Sequence, residues 1–253
     1  MEAELIGMDE WYGREQQIKA LEARSLAAGR EWQDFVSFYE VWKPAVQDQQ
    51  LLRRLDETLA GNAFVTIRAA LQRELIMSIM RIWDDHDSTI CLRKIMILLD
   101  DHRTLGAIVH RVIDKTFEGQ HTDHAARHED MLKGYQASVA ICQKIIRKYK
   151  AGERLEFFKR LGQLRDEHLA HRQVIREKLP TGTDDMPLFE EFANDTGTLV
   201  ADLLNIIHNR LIDRALPLLA RQNAKLFWAS VRGETDPRHP DYHRKRAEPW
   251  EEP

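Results

Sequence analysis

Residues 63–84 constrain the fold more than any other stretch of this chain. Phe64, Ile67, Leu71, Leu75, Ile76, Met77, Ile79, Met80, Ile82 and Trp83 leave a helix almost no polar side, and a helix that is apolar all round has to be enclosed by others. Glu74, Ser78 and Arg81 share one stripe of it, so Glu74 and Arg81 are expected to be buried as well. The chain has the means to build that enclosure. Its 253 residues can bury a sizeable core as one domain, or one domain with an appendage. Twelve Gly, eight Pro, 31% charged and 43% hydrophobic residues suit an all-helical soluble protein. The expected fold class is therefore all-α.

The surrounding helices can be read from apolar spacing and stop signals. Residues 9–43 form one helix, or two divided at Gly29, with a stop at Pro44. Their aromatic stripe of Trp32, Phe35, Phe38, Tyr39 and Trp42 suits a core or an interface better than a base-stacking platform. A polar helix over 45–59 ends at Gly61-Asn62. Asp84-Asp85-His86-Asp87 closes the central helix, as a solvated loop or cap more readily than as a cation site, because no glycine turn or spaced ligand set accompanies it. Ser88-Thr89 caps a short helix to Leu99, and another runs from Asp101 to Phe117. A long helix from Gly119 to Lys150 carries Tyr135, Val139, Cys142, Ile145 and Ile146 on its apolar side. Ala151-Gly152-Glu153 turns it into an antiparallel partner. After a loop at 181–187, residues 188–215 are helical with Leu199, Leu203, Ile206, Ile207 and Leu211 buried; Pro217 kinks this helix, which continues to Trp228. From Gly233 the sequence reads as a polar tail of low order, in which Arg244, Lys245 and Arg246 are weak evidence for phosphate contact. The expected divisions are 9–180, 181–232 and 233–253.

The chemistry concentrates in residues 153–178, a proline-free run that reads as one long helix. At about 100° per residue, Phe157, Leu161, Leu164 and Ile175 share a face with Arg165, His168, His171 and Arg172. Asp166, Glu167 and Arg176 point elsewhere. A solvated charge run lies opposite the apolar stripe; this basic cluster interrupts it. Such groups must be paired, wetted by a cleft, or used. Arg165 and His171 can converge on a ligand about 5–7 Å away. Together they supply what metal-free RNA cleavage needs: a proton carrier for the ribose 2′-OH or the leaving 5′-oxygen, and a bidentate holder of the phosphate oxygens. The bland alternative is a helix surface on which an Arg and a His happen to be neighbours. For Arg81 and Glu74 the favoured reading is a mutual or cross-helix salt bridge, compatible with a role orienting Arg165 or His171.

The segment from Arg165 to Arg172, Arg-Asp-Glu-His-Leu-Ala-His-Arg, resembles the Arg–polar–x–His signature of the HEPN superfamily, in which four to six residues separate Arg from His. Asp166 takes the polar position, and Leu169-Ala170-His171 has the usual apolar approach to the His. Leu75 to Asp84, with Arg81-Ile-Trp-Asp84, resembles the second-helix Arg-x-x-Asp segment of the abortive-infection U-type group. The resemblance covers roughly residues 23–180. It implies an up-and-down HEPN-like bundle with a C-terminal helical extension, and a metal-independent endoribonuclease of a prokaryotic defence or toxin–antitoxin system, with no cofactor. In that reading Arg165, His171 and Asp166 are catalytic, with His168, Arg172, Arg81, Glu74 and Asp84 auxiliary. It also implies a homodimer that pairs two motifs in one composite RNA site, and an antitoxin of the nucleotidyltransferase type.

Two other classes fit the same residues. One is a HEPN domain that binds nucleotides or proteins and cuts nothing. The other is a metal-binding bundle using His121, His124 and His128 on one helix face, with His110 and Asp123 near in sequence. It lacks an evident Cys or fixed fourth ligand. A formal net charge of −4 excludes a protein coated for non-specific nucleic-acid binding, so RNA contact requires a local patch. Cys91 and Cys142 lack metal spacing and fit a reducing compartment. Neither a signal-peptide pattern nor an apolar run of membrane length appears, so the expected location is the cytoplasm.

Overall fold

The computed structural model describes residues 2–56, 58, 60–86, 89–117, 124–166, 185–212 and 215–231. Nine helices and no strand occur among the described residues: α1 (Glu2–Gln47), α2 (Gln49–Asp56), α3 (Gly61–Ile82), α4 (Leu92–Asp100), α5 (His102–Thr116), α6 (His124–Lys148), α7 (Gly152–Leu164), α8 (Met186–His208) and α9 (Leu216–Ser230). The fold is an all-α helical bundle. Its packing separates two units, one formed by residues 1–32 and 77–213, the other by 33–76 and 214–253.

In the first unit α5 packs on α4 and α6, and α8 on α5 and α6. Each helix turns inward the stripe its sequence spacing marks. Ile95 and Leu99 of α4, Ile108 and Val109 of α5, and Tyr135, Val139, Cys142 and Ile145 of α6 are buried. So are Leu199, Leu203, Ile206 and Ile207 of α8. Two glycines let α1 and α8 approach closely. A Cβ on Gly29 would sit 3.1 Å from Leu204, and one on Gly197 would sit 2.5 Å from the Trp32 ring. Gly29 is thus a contact point inside a continuous helix, so of the two readings of this stretch the single helix is the one found.

The second unit has its own core of Ala45, Leu51, Leu55, Phe64 and Trp228. Trp228 fixes α9 through its indole N–H, which donates to the Val41 carbonyl at 2.8 Å. Arg54 in turn donates to the Trp228 carbonyl at 2.7 Å. Phe35 and Trp42 are buried, so at least these members of the aromatic stripe are core.

Several expected boundaries move, each for a local reason. Pro44 lies in the last turn of α1, where a missing N–H costs one bond, and the helix runs on to Gln47. The stop is Asp48, whose carboxylate accepts from the N–H groups of Gln50 and Leu51 and so opens α2. Gly61 begins α3 instead of ending a helix. Cys91, in left-handed geometry at φ 48°, precedes α4 where Ser88-Thr89 was expected to cap it. α8 ends at His208 because Asn209 takes the left-handed conformation (φ 50°). Leu211 therefore lies beyond the helix and is 86% exposed, not buried. Pro217 occupies the first turn of a new helix, α9, and kinks nothing.

Asp101 sets the start of α5. Its carboxylate accepts from the Thr104 N–H at 2.9 Å, the Thr104 hydroxyl at 2.6 Å and the Arg103 N–H at 3.4 Å. The Thr104 hydroxyl and then these backbone donors hold its pKa below the usual carboxylate range. Asp101→Ala is expected to cost about 1 kcal/mol at neutral pH. A carboxylate with a lowered folded pKa stabilises above its unfolded pKa, and loses that contribution as pH falls through the folded value. Urea titrations of wild type and variant are therefore expected to differ at pH 7, to start converging only as pH falls past about 4, and to meet below the folded value.

Candidate functional site

The site is built outward from Trp83, the residue that follows α3. Its indole N–H donates to Thr196 Oγ1 at 2.9 Å, and the Thr196 hydroxyl donates to the Phe192 carbonyl at 2.7 Å. The rings of Tyr149, Phe158 and Phe192 lie 5.3, 5.6 and 5.2 Å from the Trp83 ring. α6, α7 and α8 thus converge on one tryptophan. A polar network braces the same three helices. The Tyr149 hydroxyl and Lys148 Nζ donate to Asp195 Oδ2 at 2.7 and 2.6 Å, while Lys148 and Arg154 both pair with Glu191. Bonds from Arg154 and then Lys148 hold the Glu191 carboxyl below its usual range. Burial, with Asp195 adding to it, pushes the Tyr149 phenol well above its own. Sequence reading missed this network; its one local signal is the i, i+4 pair of acids, Glu191 and Asp195, on α8.

Because Trp83 is fixed, so is Asp84. One of its oxygens accepts from the His86 N–H at 3.1 Å. The other lies 3.5 Å from Nη1 of Arg165. Arg165 arrives from α7, whose Phe157, Leu161 and Leu164 are buried on the face that carries it. The helix widens into π geometry at Arg165 and Asp166, a distortion frequent where helices carry function. Arg165 Nε donates to Asp166 Oδ1 at 2.8 Å. The guanidinium is held between two carboxylates and is 26% exposed. Asp166 does leave the apolar face, at 65% exposed, yet the arginine bends back to meet it. A guanidinium carries five N–H donors, and among the described residues two carboxylates meet this one.

The family model for HEPN_AbiU2, described as AbiU2, matches residues 16–223. The chain belongs to this HEPN family. The match runs past residue 180 to take in α8 and the first half of α9. No curated protein and no solved structure matches the chain.

Within this HEPN chain the remaining candidates separate. His168, His171 and Arg172 lie outside the described residues. Arg81 is not buried: its side chain is 45% exposed and reaches across to Glu31 of α1 at 3.2 Å. That is a cross-helix salt bridge, because a long side chain on a crowded helix keeps its charge in water. Glu74 is half-buried, not buried, and forms no ion pair among the described residues. Of the auxiliary residues that are described, Asp84 is the one found beside Arg165.

His121 and Asp123 also fall outside the description, as does the side chain of His124. The ring of His128 meets the Gly106 carbonyl at 3.4 Å, and its centroid is 6.5 Å from that of His110. Among the described residues no three His, Cys, Asp or Glu side chains converge as a metal site. Both cysteines are buried, and burial, with Asp202 adding to it, pushes the Cys142 thiol up to about 12. No helix among the described residues is long and apolar enough to cross a membrane.

Proposed function

We propose that this HEPN chain is a metal-independent endoribonuclease of an abortive-infection or toxin–antitoxin system. The observation that carries the reading is Arg165, which opens the segment resembling the HEPN signature and is partly buried between Asp84 and Asp166. An arginine pinned at fixed height presents a preorganised cation to a phosphate, and it pays little reorganisation when charge develops there. In the proposed reaction the ribose 2′-oxygen forms a bond to the adjacent phosphorus as the bond to the 5′-oxygen breaks. A base takes the 2′-OH proton and an acid protonates the leaving oxygen, giving a 2′,3′-cyclic phosphate and a 5′-OH. His171 carries one of these roles, Arg165 stabilises the phosphorane-like charge, and Asp166 and Asp84 position Arg165. His168 and Arg172 are auxiliary donors.

One chain supplies one motif His, whereas the reaction needs both an acid and a base. The reading therefore includes a homodimer whose two-fold cleft joins two copies of the site, acting in the cytoplasm under a nucleotidyltransferase-type antitoxin. Replacing the 2′-OH at a mapped cleavage position by hydrogen tests the chemistry. Cleavage at that position is expected to disappear while neighbouring positions are still cut; a deoxy position that is still cut rules the mechanism out. A chain that binds RNA or nucleotide and cuts nothing would be the binding module instead.

A further inference from the structure

Beside the Arg165 site, in the same packing unit, α4, α6 and α7 enclose a cleft of about 350 Å³, within the size range of small-molecule sites. Trp83, Met96, Ile97 and Phe158 line it. Ile97 is 59% exposed, so apolar surface meets water here. Arg93, Arg147 and Lys150 line the cleft too, against the two acids Asp85 and Asp100. Neither Arg93 nor Lys150 forms an ion pair among the described residues.

The polar wall is ordered by its own bonds. Gln143 Nε2 donates to Asp100 Oδ1 at 2.9 Å, and Arg147 donates to Gln143 Oε1 at 3.0 Å. That chain fixes the amide and leaves Asp100 Oδ2 as an acceptor. Aromatic and aliphatic lining, an oriented acceptor and cations with no ion pair among the described residues are the three parts a nucleotide needs: stacking surface, base-edge partner and phosphate holder.

We propose that this cleft binds a nucleotide, its base over Phe158 and Met96 and its phosphate on Arg93 and Lys150. The source that fits the placement is an RNA strand that also reaches Arg165, and this part rests on the ribonuclease reading. Phe158 lies in α7 and Arg165 directly follows its last residue, a separation of seven residues and a rise of about 10 Å along a helix. Trp83 and Asp85 of the cleft flank Asp84 in sequence. The cleft thus holds a nucleotide near the scissile phosphate and adds register to a site that otherwise grips only backbone.

The test uses the full chain and a non-cleavable 2′-O-methyl oligonucleotide carrying one 4-thiouridine, with binding read by anisotropy and crosslinks mapped to peptides. Crosslinks are expected in Leu92–Asp100 or Gly152–Leu164. Arg93→Glu with Lys150→Glu is expected to weaken binding roughly tenfold or more. Lys133→Glu with Lys19→Glu, the same charge change at exposed positions that neither line the cleft nor adjoin a residue that does, is expected to do much less. All four positions are exposed, so unchanged thermal melts verify the fold. Crosslinks elsewhere, or equal losses in both pairs, overturn the proposal. Nucleoside monophosphates form the second arm. If they bind with the same sensitivity and the oligonucleotide does not, the nucleotide site stands and its source is a free nucleotide. If neither ligand binds, the site is rejected. Cleft crosslinks in a protein that never cuts RNA would uphold this site and sink the nuclease reading alone.

Discussion

Arg165→Ala is expected to slow RNA cleavage by roughly 10²–10³-fold, the usual loss when one preorganised donor to a developing oxyanion is removed. The size follows from how the side chain is held. Asp166 takes Nε at 2.8 Å and Asp84 lies 3.5 Å from Nη1, so the guanidinium is oriented before substrate arrives. Folding should barely respond, because partly exposed ion pairs contribute about 0–1 kcal/mol. Arg165→Lys is expected to rescue little: an ammonium cannot reproduce the fork that meets two carboxylates and a phosphate together. Asp84→Asn should cost less than Arg165→Ala, since Asp166 still holds Nε. Single-turnover rates beside thermal melts check this. A variant that melts like wild type and cleaves like wild type removes Arg165 from the chemistry.

Phe192→Ala is expected to lower stability by about 3–5 kcal/mol, a fall in Tm of roughly ten degrees for a chain of this size. Phe192 is fully buried and stands at the middle of the aromatic cluster. Its ring centroid lies 5.2 Å from Trp83, 4.9 Å from Tyr149, 6.1 Å from Phe157 and 6.0 Å from Phe158. Truncation opens a cavity bounded by four other rings, which cannot collapse without moving Trp83. Asp84 follows Trp83, so the variant should also cleave more slowly at temperatures where it remains folded. Phe192→Leu keeps most of the volume and should cost less than half as much. Chemical denaturation of the three proteins measures the difference; a loss under about 1 kcal/mol for the alanine would mean that the cluster does not organise this end of the fold.

Helical faces were legible wherever one stripe faces one core. The spacing of Phe157, Leu161 and Leu164 is enough to bury them, and the same arithmetic puts Arg165 beside them and Asp166 outside. The stripes of α6 and α8 follow the same rule. The pattern fails where enclosure is incomplete. Apolar residues on every side of α3 suggest full burial, yet Val65 and Ile67 are exposed, and Arg81 extends to Glu31 instead of turning inward. Ends depend on one residue's backbone geometry, so Asn209 ended α8 early and Leu211 lost its helix. Gly29 looks like a breaker in sequence, because only the fold reveals Leu204 against it.

The Arg165 site was half legible. Its motif lies in one short segment, and Asp84 was already a candidate from the second helix. The contact between them joins residues far apart in sequence, which no local pattern encodes. The Lys148, Arg154, Glu191 and Asp195 network and the α4–α6–α7 cleft escaped for the same reason.

One measurement tests the central claim most directly: incubation of the purified chain with RNA in excess EDTA, followed by chemical identification of the new ends, beside Arg165→Ala and His171→Ala. The expected result is EDTA-resistant cleavage that leaves 2′,3′-cyclic phosphates and 5′-OH ends and is lost in both variants. Cleavage that stops in EDTA, leaves 3′-OH ends, or persists in both variants would contradict it.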